Sequence, residues 1–184
     1  MIFGLKFGLS LINNTLSVEE WIPYEISTHI NYTSLSGTAY SNGEYTSSYA
    51  AWEALSGIIS GNDDSWASVN TTPTPSAPKI WGYQTPVAVR LNSFRIYAPQ
   101  NSLGQLTANR GIQDFQIQAS NDGISWDTLY SGTYPLATAL EWGPVVTLPV
   151  GSGYTDHRIV ITSNWGANPT EIQEIELDMS TLLV

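Results

Sequence analysis

Aromatic and amide side chains occur together in segments of this chain that are rich in turn residues and lie outside its alternating strand patterns. Trp165 lies in the segment SNWGAN and Trp142 in the segment EWGP. An aromatic face beside a few oriented hydrogen-bond donors and acceptors is an arrangement that binds a sugar ring. The candidate ligand-binding residues are Trp165, Arg110, Asn109, Asn164, Trp142 and Tyr49.

Each of these candidates also has a purely structural interpretation. Trp165 could cover the end of a β-sandwich without touching a ligand. Arg110 is one of only six basic residues in an acidic chain, so a structural salt bridge is the rival to a ligand contact. His157 precedes an apolar stretch and is expected to be a structural histidine with hydrogen-bond partners, and His29 is uninformative.

Catalysis would need a constellation of residues that the sequence does not show. It has no G-x-S-x-G nucleophile turn, no H-E-x-x-H metal pair and no phosphate-binding glycine loop. Two carboxylates could lie ~5–9 Å apart, as in glycosidases. However, the alternation of one polar strand face explains Glu171, Glu174 and Glu176. We therefore expect no catalytic residues and no enzyme activity.

Length, charge and cysteine content exclude several classes of protein. The chain has 184 residues, a formal net charge of −10 and no cysteine. This length suits one domain, or one domain with an extension. The acidic balance argues against nucleic acid as a partner, because clustered Lys and Arg supply that affinity. The lack of cysteine excludes a disulfide framework and thiol catalysis.

The start of the chain is apolar, but its pattern does not indicate a membrane span or an export signal. Lys6 interrupts the apolar run, which is too short to cross a bilayer. The run also lacks a basic leading region and a small-residue cleavage site. We therefore expect no membrane insertion.

The composition predicts an all-β fold. Charged residues make up 12% of the chain, about half of the usual share of roughly 25%. The chain is rich in Ser, Thr, Asn, aromatic residues and Val, with 15 Gly and 10 Pro. β-Branched and aromatic residues favour strands, and Gly, Pro and Asn favour the turns between them. Many short strands with regular turns are typical of a sandwich or jelly roll.

Alternating apolar residues from Phe3 to Leu11 predict an N-terminal strand. We expect this strand to pack on the domain or on another subunit. Residues 1–36 are accordingly assigned to an N-terminal strand segment for packing or oligomerisation, and residues 37–184 to the sandwich domain.

Turn residues and periodicity indicate several further elements. The Asp-Gly pair in the segment SNDGIS predicts a tight hairpin turn, since Gly tolerates positive φ. A change of parity at Asn92-Ser93 predicts a bulge or tight turn. Residues 50–59 could form a short helix, and residues 145–150 read as an edge strand between prolines.

Four regions, taken in order, resemble the motifs of one family. They are SSYAAWEALSG followed by NDDSWAS, then GIQDFQIQASNDGISW, then HRIVITSN, and finally IQEIEL. The second region is the best match, since the family's version runs x-K-D-F-x-I-x-x-S-x-D-G-x-x-W. In this order they are similar to the discoidin domain, also called the coagulation-factor C-type or galactose-binding-like domain. The resemblance covers about residues 40–180.

The resemblance implies an eight-stranded jelly-roll sandwich that usually binds a ligand at loops on one end. Ligands across the family include galactose-type sugars, other glycans, phospholipid head groups and proteins. It also implies that Trp66 and Trp126 lie in the core. Arg110 falls in a loop that, in this family, often carries a ligand-binding polar residue.

Many members of this family carry one structural calcium ion, held by an Asp-Gly loop and closed by a Glu of the last strand. The match is partial here, because Ser56 stands where that Asp would be. The alternative is that Asp63 caps a turn and Glu174 is a solvated strand residue. The oxygen ligands that a hard cation requires could come from Asn62, Asp63, Asp64 and Glu174.

Together these observations favour a non-catalytic carbohydrate-binding module with an all-β, jelly-roll fold and an N-terminal strand extension. The missing export signal and missing cysteines favour a phage tail or capsid appendage, assembled in the host cytoplasm and carried on the virion. Its partners would be a galactose-type or host surface glycan, other virion proteins, and a second copy through residues 1–36. Two alternatives stay open: a purely structural virion component, and an extracellular accessory domain of a secreted glycosidase or adhesin.

Overall fold

A computed structural model describes residues 7–12, 15–26, 33–34, 36–59, 64–101 and 103–183, without the side chains of residues 7–18 and 33. Within these residues the fold is all-β apart from two short 3-10 helices, Ala51–Leu55 and Ala108–Arg110. The predicted all-β class is confirmed. The strands are β1 Phe7–Ile12, β2 Thr15–Tyr24, β3 Thr33–Ser34, β4 Gly37–Ser41, β5 Trp66–Ala67, β6 Lys79–Tyr97, β7 Asp114–Ser120, β8 Asp127–Thr133, β9 Val146–Thr147, β10 Tyr154–Ile161, β11 Glu171–Ile172 and β12 Glu174–Leu182.

The longest strand, β6, connects the two layers of the sandwich. Its first part pairs with β4 and β10, and its second part pairs with β12. Between Leu91 and Ser93 the pairing with β12 shifts by one residue, so Asn92 is the extra residue of a β-bulge. The bulge or turn predicted at this place is therefore a bulge within one continuous strand.

Aromatic side chains fill the space between the layers. Trp66, Trp81 and Tyr83 are fully buried, and Phe94 meets Phe115 edge to face with ring centroids 5.7 Å apart. Burying one Phe side chain stabilises the fold by about 1.5–3 kcal/mol. The predicted core position of Trp66 is confirmed.

Trp126 is not a core residue, which corrects the prediction. It is half-buried, and Arg158 Cζ lies 3.5 Å from the centroid of its ring. The reason is the preceding turn, since residues 121–126 all lie outside the strands and β8 begins only at Asp127. Gly123 has a φ of 69°, as the Asp-Gly signal predicts, but within this longer loop rather than a tight hairpin turn.

Two other predicted elements are shorter than the pattern suggests. The helix expected over residues 50–59 is a single 3-10 helix, Ala51–Leu55. The edge strand expected over residues 145–150 is β9, which has two residues and pairs with β6. Neither described helix is long and apolar enough to cross a membrane.

The N-terminal strands form a ribbon at one edge of the sheet. β1 pairs antiparallel with residues 15–20 of β2, whereas only residues 21–24 of β2 pair with β12. Because Trp21 lies opposite Leu182, the last residue of β12, the rest of the ribbon extends past the end of that strand. The division of the chain at residue 36 stays a prediction, since β2 shares a sheet with β12.

The loops that carry the candidate ligand-binding residues lie at one end of the sandwich, which we call the loop end. β6 begins at Lys79, opposite Ile161 at the end of β10, and Ile161 is also opposite Phe115 near the start of β7. β12 begins at Glu174, opposite Tyr97 at the end of β6. The loop end comprises the connections 42–49, 64–78, 98–113, 134–145 and 162–173, as far as they are described.

Candidate functional site

A groove of about 380 Å³ opens at the loop end. One wall is the end of β6 with residues 98–99, the other comprises residues 134–139 and 141–144, and Ala108, Gly111 and Ile112 border it. Sites for small ligands have volumes of about 300–1,000 Å³. We call this site the Trp142 groove. Its lining is mostly apolar and includes Ala98, Pro99, Ile112, Pro135, Leu136 and Trp142.

Trp142 is held from two directions. Its ring meets Tyr97 edge to face with centroids 5.5 Å apart, and Arg95 Cζ lies 4.8 Å from the centroid of the Trp142 ring. Arg95 in turn forms an ion pair with Glu176. Trp142 remains half-exposed. The structure therefore places this predicted residue in a concave site with its indole in a defined orientation.

The connection that carries Trp142 is hydrogen-bonded to β6. The Ile96 N–H donates to the Tyr134 hydroxyl oxygen at 2.9 Å, and that hydroxyl donates to the Pro144 carbonyl at 3.1 Å. The Tyr97 hydroxyl donates to the Leu140 carbonyl at 2.8 Å. These bonds form the groove before any ligand arrives, and preorganisation lowers the cost of ordering on binding.

Glu141 is the only Asp, Glu, Lys, Arg or His among the lining residues of the Trp142 groove. Its side chain is exposed and has no hydrogen bond or ion pair within the described part of the chain. Thr138 adds a hydroxyl to the lining. In the sequence, Glu141 directly precedes Trp142. Its place in the EWGP segment is the signal that would have found it.

Trp165 lies beside the groove and is half-buried. Its indole N–H donates to the Tyr134 carbonyl at 3.3 Å, and its backbone N–H donates to the Gly111 carbonyl at 3.3 Å. Both of these acceptors belong to residues that line the groove. Asn164 is buried, and its amide donates to Thr170 Oγ1 at 3.1 Å. Asn164 therefore holds the loop that presents Trp165.

Arg110 forms a structural salt bridge, the alternative to a ligand contact for this residue. Its Nη1 lies 3.5 Å from Oε2 of Glu171 in β11, a buried carboxylate. The Ser65 hydroxyl donates to Oε1 of the same group at 3.0 Å. Burial raises the pKa of Glu171, while Ser65 and Arg110 act to lower it. Glu171 is buried in an ion pair rather than on a solvated polar face, which corrects the interpretation of its alternation.

Asn109 and Tyr49 are also at the loop end. Asn109 is exposed, and its carbonyl accepts the Ala167 N–H at 3.1 Å, which joins its turn to the Trp165 loop. Tyr49 is half-buried and meets Tyr45 edge to face with centroids 5.8 Å apart. Contact of Asn109, Arg110, Asn164 or Tyr49 with a ligand stays a prediction.

Glu174 is buried at the start of β12, which corrects the alternative of a solvated strand residue. Its carboxylate accepts the Gly57 N–H at 3.2 and 3.3 Å and the Ser56 hydroxyl at 3.5 Å. Burial raises the pKa of Glu174 to about 8, and the charges of Asp64 and Glu53 add to the rise. This carboxyl group is therefore protonated at neutral pH unless a cation accompanies it.

The calcium site suggested by the sequence is only partly described. Asn62 and Asp63 lie outside the described residues. Among the residues that are described, no three His, Cys, Asp or Glu side chains are grouped to hold a metal ion. Calcium takes about six to eight oxygen ligands, which Asp64 and Glu174 do not supply by themselves. Calcium binding stays a prediction that depends on the two undescribed side chains.

His157 lies in the core of the sandwich without the hydrogen bonds expected for it. It is 3% exposed, and neither ring nitrogen has a partner within the described residues. Its ring meets Tyr154 edge to face with centroids 6.2 Å apart. Burial lowers the pKa of His157 to about 4, so it is a neutral core residue at neutral pH. His29 lies outside the described residues.

No protein-family model matches the sequence, and the search of curated proteins gave no match. Solved structures do match the fold. One is the family 32 carbohydrate-binding module of C. perfringens NanJ in complex with galactose, with a TM-score of 0.56 and 18% identity over 78% of this chain and 93% of that module. A second is an F5/8 type C domain from Bacteroides fragilis, with a TM-score of 0.59 and 16% identity over 80% and 93% of the two chains.

A third match is chitosan-binding module 1 from a chitosanase/glucanase of Paenibacillus sp. IK-5, with a TM-score of 0.58 and 20% identity over 81% and 98% of the two chains. The chain therefore has the discoidin-like, galactose-binding-like jelly-roll fold that the order of sequence motifs predicts. The identities of these matches are low, so they establish the fold and leave the ligand to the residues of this chain.

Proposed function

We propose that this chain is a non-catalytic carbohydrate-binding module whose site is the Trp142 groove with the neighbouring Trp165. The observation that carries the proposal is the half-exposed Trp142 indole, fixed in a preformed concave site at the loop end. A sugar ring presents an apolar C–H face, so it gains most from an aromatic wall with a few polar groups beside it. Fold relatives that bind sugars support the same function.

The lining of the groove favours binding over hydrolysis. Hydrolysis of a glycosidic bond generally uses two carboxyl groups placed on opposite sides of that bond. Glu141 is the only carboxyl group among the lining residues of the Trp142 groove. We therefore expect a saccharide bound there to be released without hydrolysis of its glycosidic bonds.

A binding assay with paired tryptophan variants tests this proposal. Titration calorimetry or an oligosaccharide array is run on the full chain and on Trp142→Ala and Trp165→Ala. We expect Trp142→Ala to weaken saccharide binding at least about tenfold, or 1.4 kcal/mol. We expect Trp165→Ala to weaken it less, because its indole N–H is bonded to Tyr134. Trp126→Ala is the matched control, since Trp126 is also half-buried but lies at the opposite end.

Two outcomes would contradict the proposal. Equal losses from Trp126→Ala and Trp142→Ala would indicate a general effect on the fold rather than a site. No saccharide binding by the native chain at high protein concentration would favour the second candidate, a purely structural component that keeps the jelly roll without a ligand.

Two kinds of larger assembly could contain such a module: a virion and an extracellular enzyme or adhesin. As a phage tail or capsid appendage, it would be part of the virion, contact host surface glycans and join other virion proteins through the N-terminal ribbon. As an extracellular accessory module, it would hold a glycosidase or adhesin on its polysaccharide. The neighbour from a chitosanase/glucanase accords with the second setting, and the ribbon of β1 and β2 accords with either.

A further inference from the structure

We infer that the saccharide taken by the Trp142 groove carries a free amino group. This inference rests on the proposed function and adds the chemical class of the sugar. Fold relatives bind different saccharides, so the fold does not choose the class. The choice has to come from the charges and hydrogen-bonding groups of the groove itself.

The charge of the groove selects against an acidic saccharide. Glu141 stands at the groove with no ion pair within the described residues, and no Lys, Arg or His lines the groove. The guanidinium of Arg95 lies over the Trp142 ring and is paired with Glu176. A uronic acid would therefore meet a carboxylate without a counter-charge, which costs free energy in a partly apolar site.

Basic groups elsewhere at the loop end are already occupied. Arg110 is paired with Glu171, and the Lys79 ammonium donates to Thr71 Oγ1. The whole chain carries a net charge of −10, so its long-range field also repels anions and attracts cations. Both the local and the long-range terms therefore favour a cationic ligand.

The hydrogen-bonding groups of the groove favour an amino sugar over a neutral sugar. The hydroxyls of Tyr97 and Tyr134 already donate to the carbonyls of Leu140 and Pro144, so they are committed donors. The carboxylate of Glu141 can only accept. An ammonium group supplies three donors and a positive charge in one place. The groove thus offers an acceptor that an ammonium group satisfies better than a hydroxyl group does.

Three matched oligosaccharides test the inference on the full chain. The probes are a glucosamine tetramer, the N-acetylglucosamine tetramer and a galacturonic acid tetramer, with galactose as a neutral reference. At low salt and about pH 6, where the amino groups of the glucosamine tetramer are mostly protonated, we expect it to bind about three- to fivefold tighter than its N-acetylated form, the range of one exposed ion pair. The preference should vanish in about 1 M NaCl, where charges are screened beyond roughly 3 Å.

Glu141→Gln should reduce that preference to less than about twofold, because the exposed pair is lost while the shape stays. Asp127→Asn is the control, since it changes the net charge equally at the opposite end of the sandwich. Equal or tighter binding of the N-acetylated or acidic tetramer, or an unchanged preference in Glu141→Gln, would overturn the inference and leave the proposed function standing. Failure of all four saccharides to bind would overturn both.

Discussion

Arg110 and Glu171 form an ion pair that joins two connections of the loop end, with Arg110 Nη1 3.5 Å from Glu171 Oε2. The Glu171 side chain is 2% exposed and that of Arg110 is 34% exposed. A buried carboxylate is costly unless charge and hydrogen bonds accompany it. Arg110 supplies the charge and Ser65 supplies a hydrogen bond. The pair therefore stabilises the turn that borders the Trp142 groove.

Arg110→Ala is expected to lower the free energy of unfolding by about 1–3 kcal/mol, because it leaves a buried carboxylate without its counter-charge. Adding Glu171→Gln should recover most of the loss, since a neutral amide can still accept the Ser65 hydrogen bond. Urea unfolding of both single variants and the double variant measures this coupling. If Arg110→Ala abolished saccharide binding at unchanged stability, Arg110 would be a ligand contact and not a structural one.

Much of the fold is readable from the sequence because strand periodicity and turn residues are local signals. The bulge at Asn92 and the buried Trp66 follow from parity and motif order. The core position predicted for Trp126 is wrong because the family motif ends at that residue, whereas β8 begins one residue later. Arg158, 32 residues further along, covers its ring, and no local pattern reports such a contact.

Only part of the candidate site could be predicted from the sequence. Trp142 and Trp165 could be recognised because aromatic residues beside glycine in polar segments are unusual. The partners of Arg110 and Glu174 could not, because each depends on which strands meet across the sandwich. Alternation placed Glu174 on the outer face of β12, but residues 56–57 cover that end of the strand.

Glu174 should make stability fall as the pH rises. Its pKa is about 8 in the folded chain against an ordinary value of 4.5. Its proton-linked contribution is therefore fully present below about pH 4.5 and is lost as the pH rises through 8. Glu174→Gln should remove this loss, so the variant should gain about 1–3 kcal/mol relative to the native chain between pH 5 and pH 9. Glu25→Gln, which changes an exposed carboxylate just after β2, is the control in urea unfolding.

Calcium would reverse that behaviour if the predicted site is complete. A bound cation keeps Glu174 ionised and stabilises the fold by mass action, about 2.7 kcal/mol at 100 times the dissociation constant. The melting temperature should then rise with added calcium, fall with a chelator, and stop responding in Glu174→Gln. A chelator that leaves the melting temperature unchanged would exclude the ion.

His157 should make stability fall as the pH falls, which is the opposite of the effect of Glu174. Burial lowers its pKa to about 4 from 6.5. Its contribution is therefore present above pH 6.5 and is lost as the pH falls through 4, by up to about 3 kcal/mol. Urea unfolding of His157→Leu and His157→Phe, two neutral replacements of different shape, should show a shallower loss between pH 6.5 and pH 4. An unchanged slope in both would show that His157 is not the group responsible.

Glu174 and His157 both make the free energy of unfolding depend on pH between about pH 4.5 and 6.5, and their two slopes have opposite signs. The contributions of Glu174 and His157 to the pH dependence of stability therefore partly cancel in the native chain in that window. Each single variant removes one slope and exposes the other. Combining Glu174→Gln with His157→Leu should remove both of these slopes, because the two side chains lie in different parts of the sandwich and their effects should add.

The ribbon of β1 and β2 should be an association element and not a requirement for folding. Only residues 21–24 of the ribbon pair with β12, and Arg90 Cζ lies 3.8 Å from the centroid of the Trp21 ring. An isolated two-stranded ribbon is marginally stable in water, so pairing with a second copy would stabilise residues 7–12 and 15–20. We expect a chain lacking residues 1–20 to stay folded and to be monomeric by size-exclusion chromatography with light scattering, while the full chain is oligomeric.

Trp21→Ala in the full chain is the matched variant, because it removes the anchor while the pairing edge of β1 stays. We expect it to lower the free energy of unfolding by about 1–3 kcal/mol, the usual range for a lost core-facing contact. Oligomerisation should persist in this variant, since it depends on the backbone of β1 and not on Trp21. A full chain that is already monomeric would contradict the association role. A truncated chain that unfolds would show instead that residues 1–20 complete the sandwich.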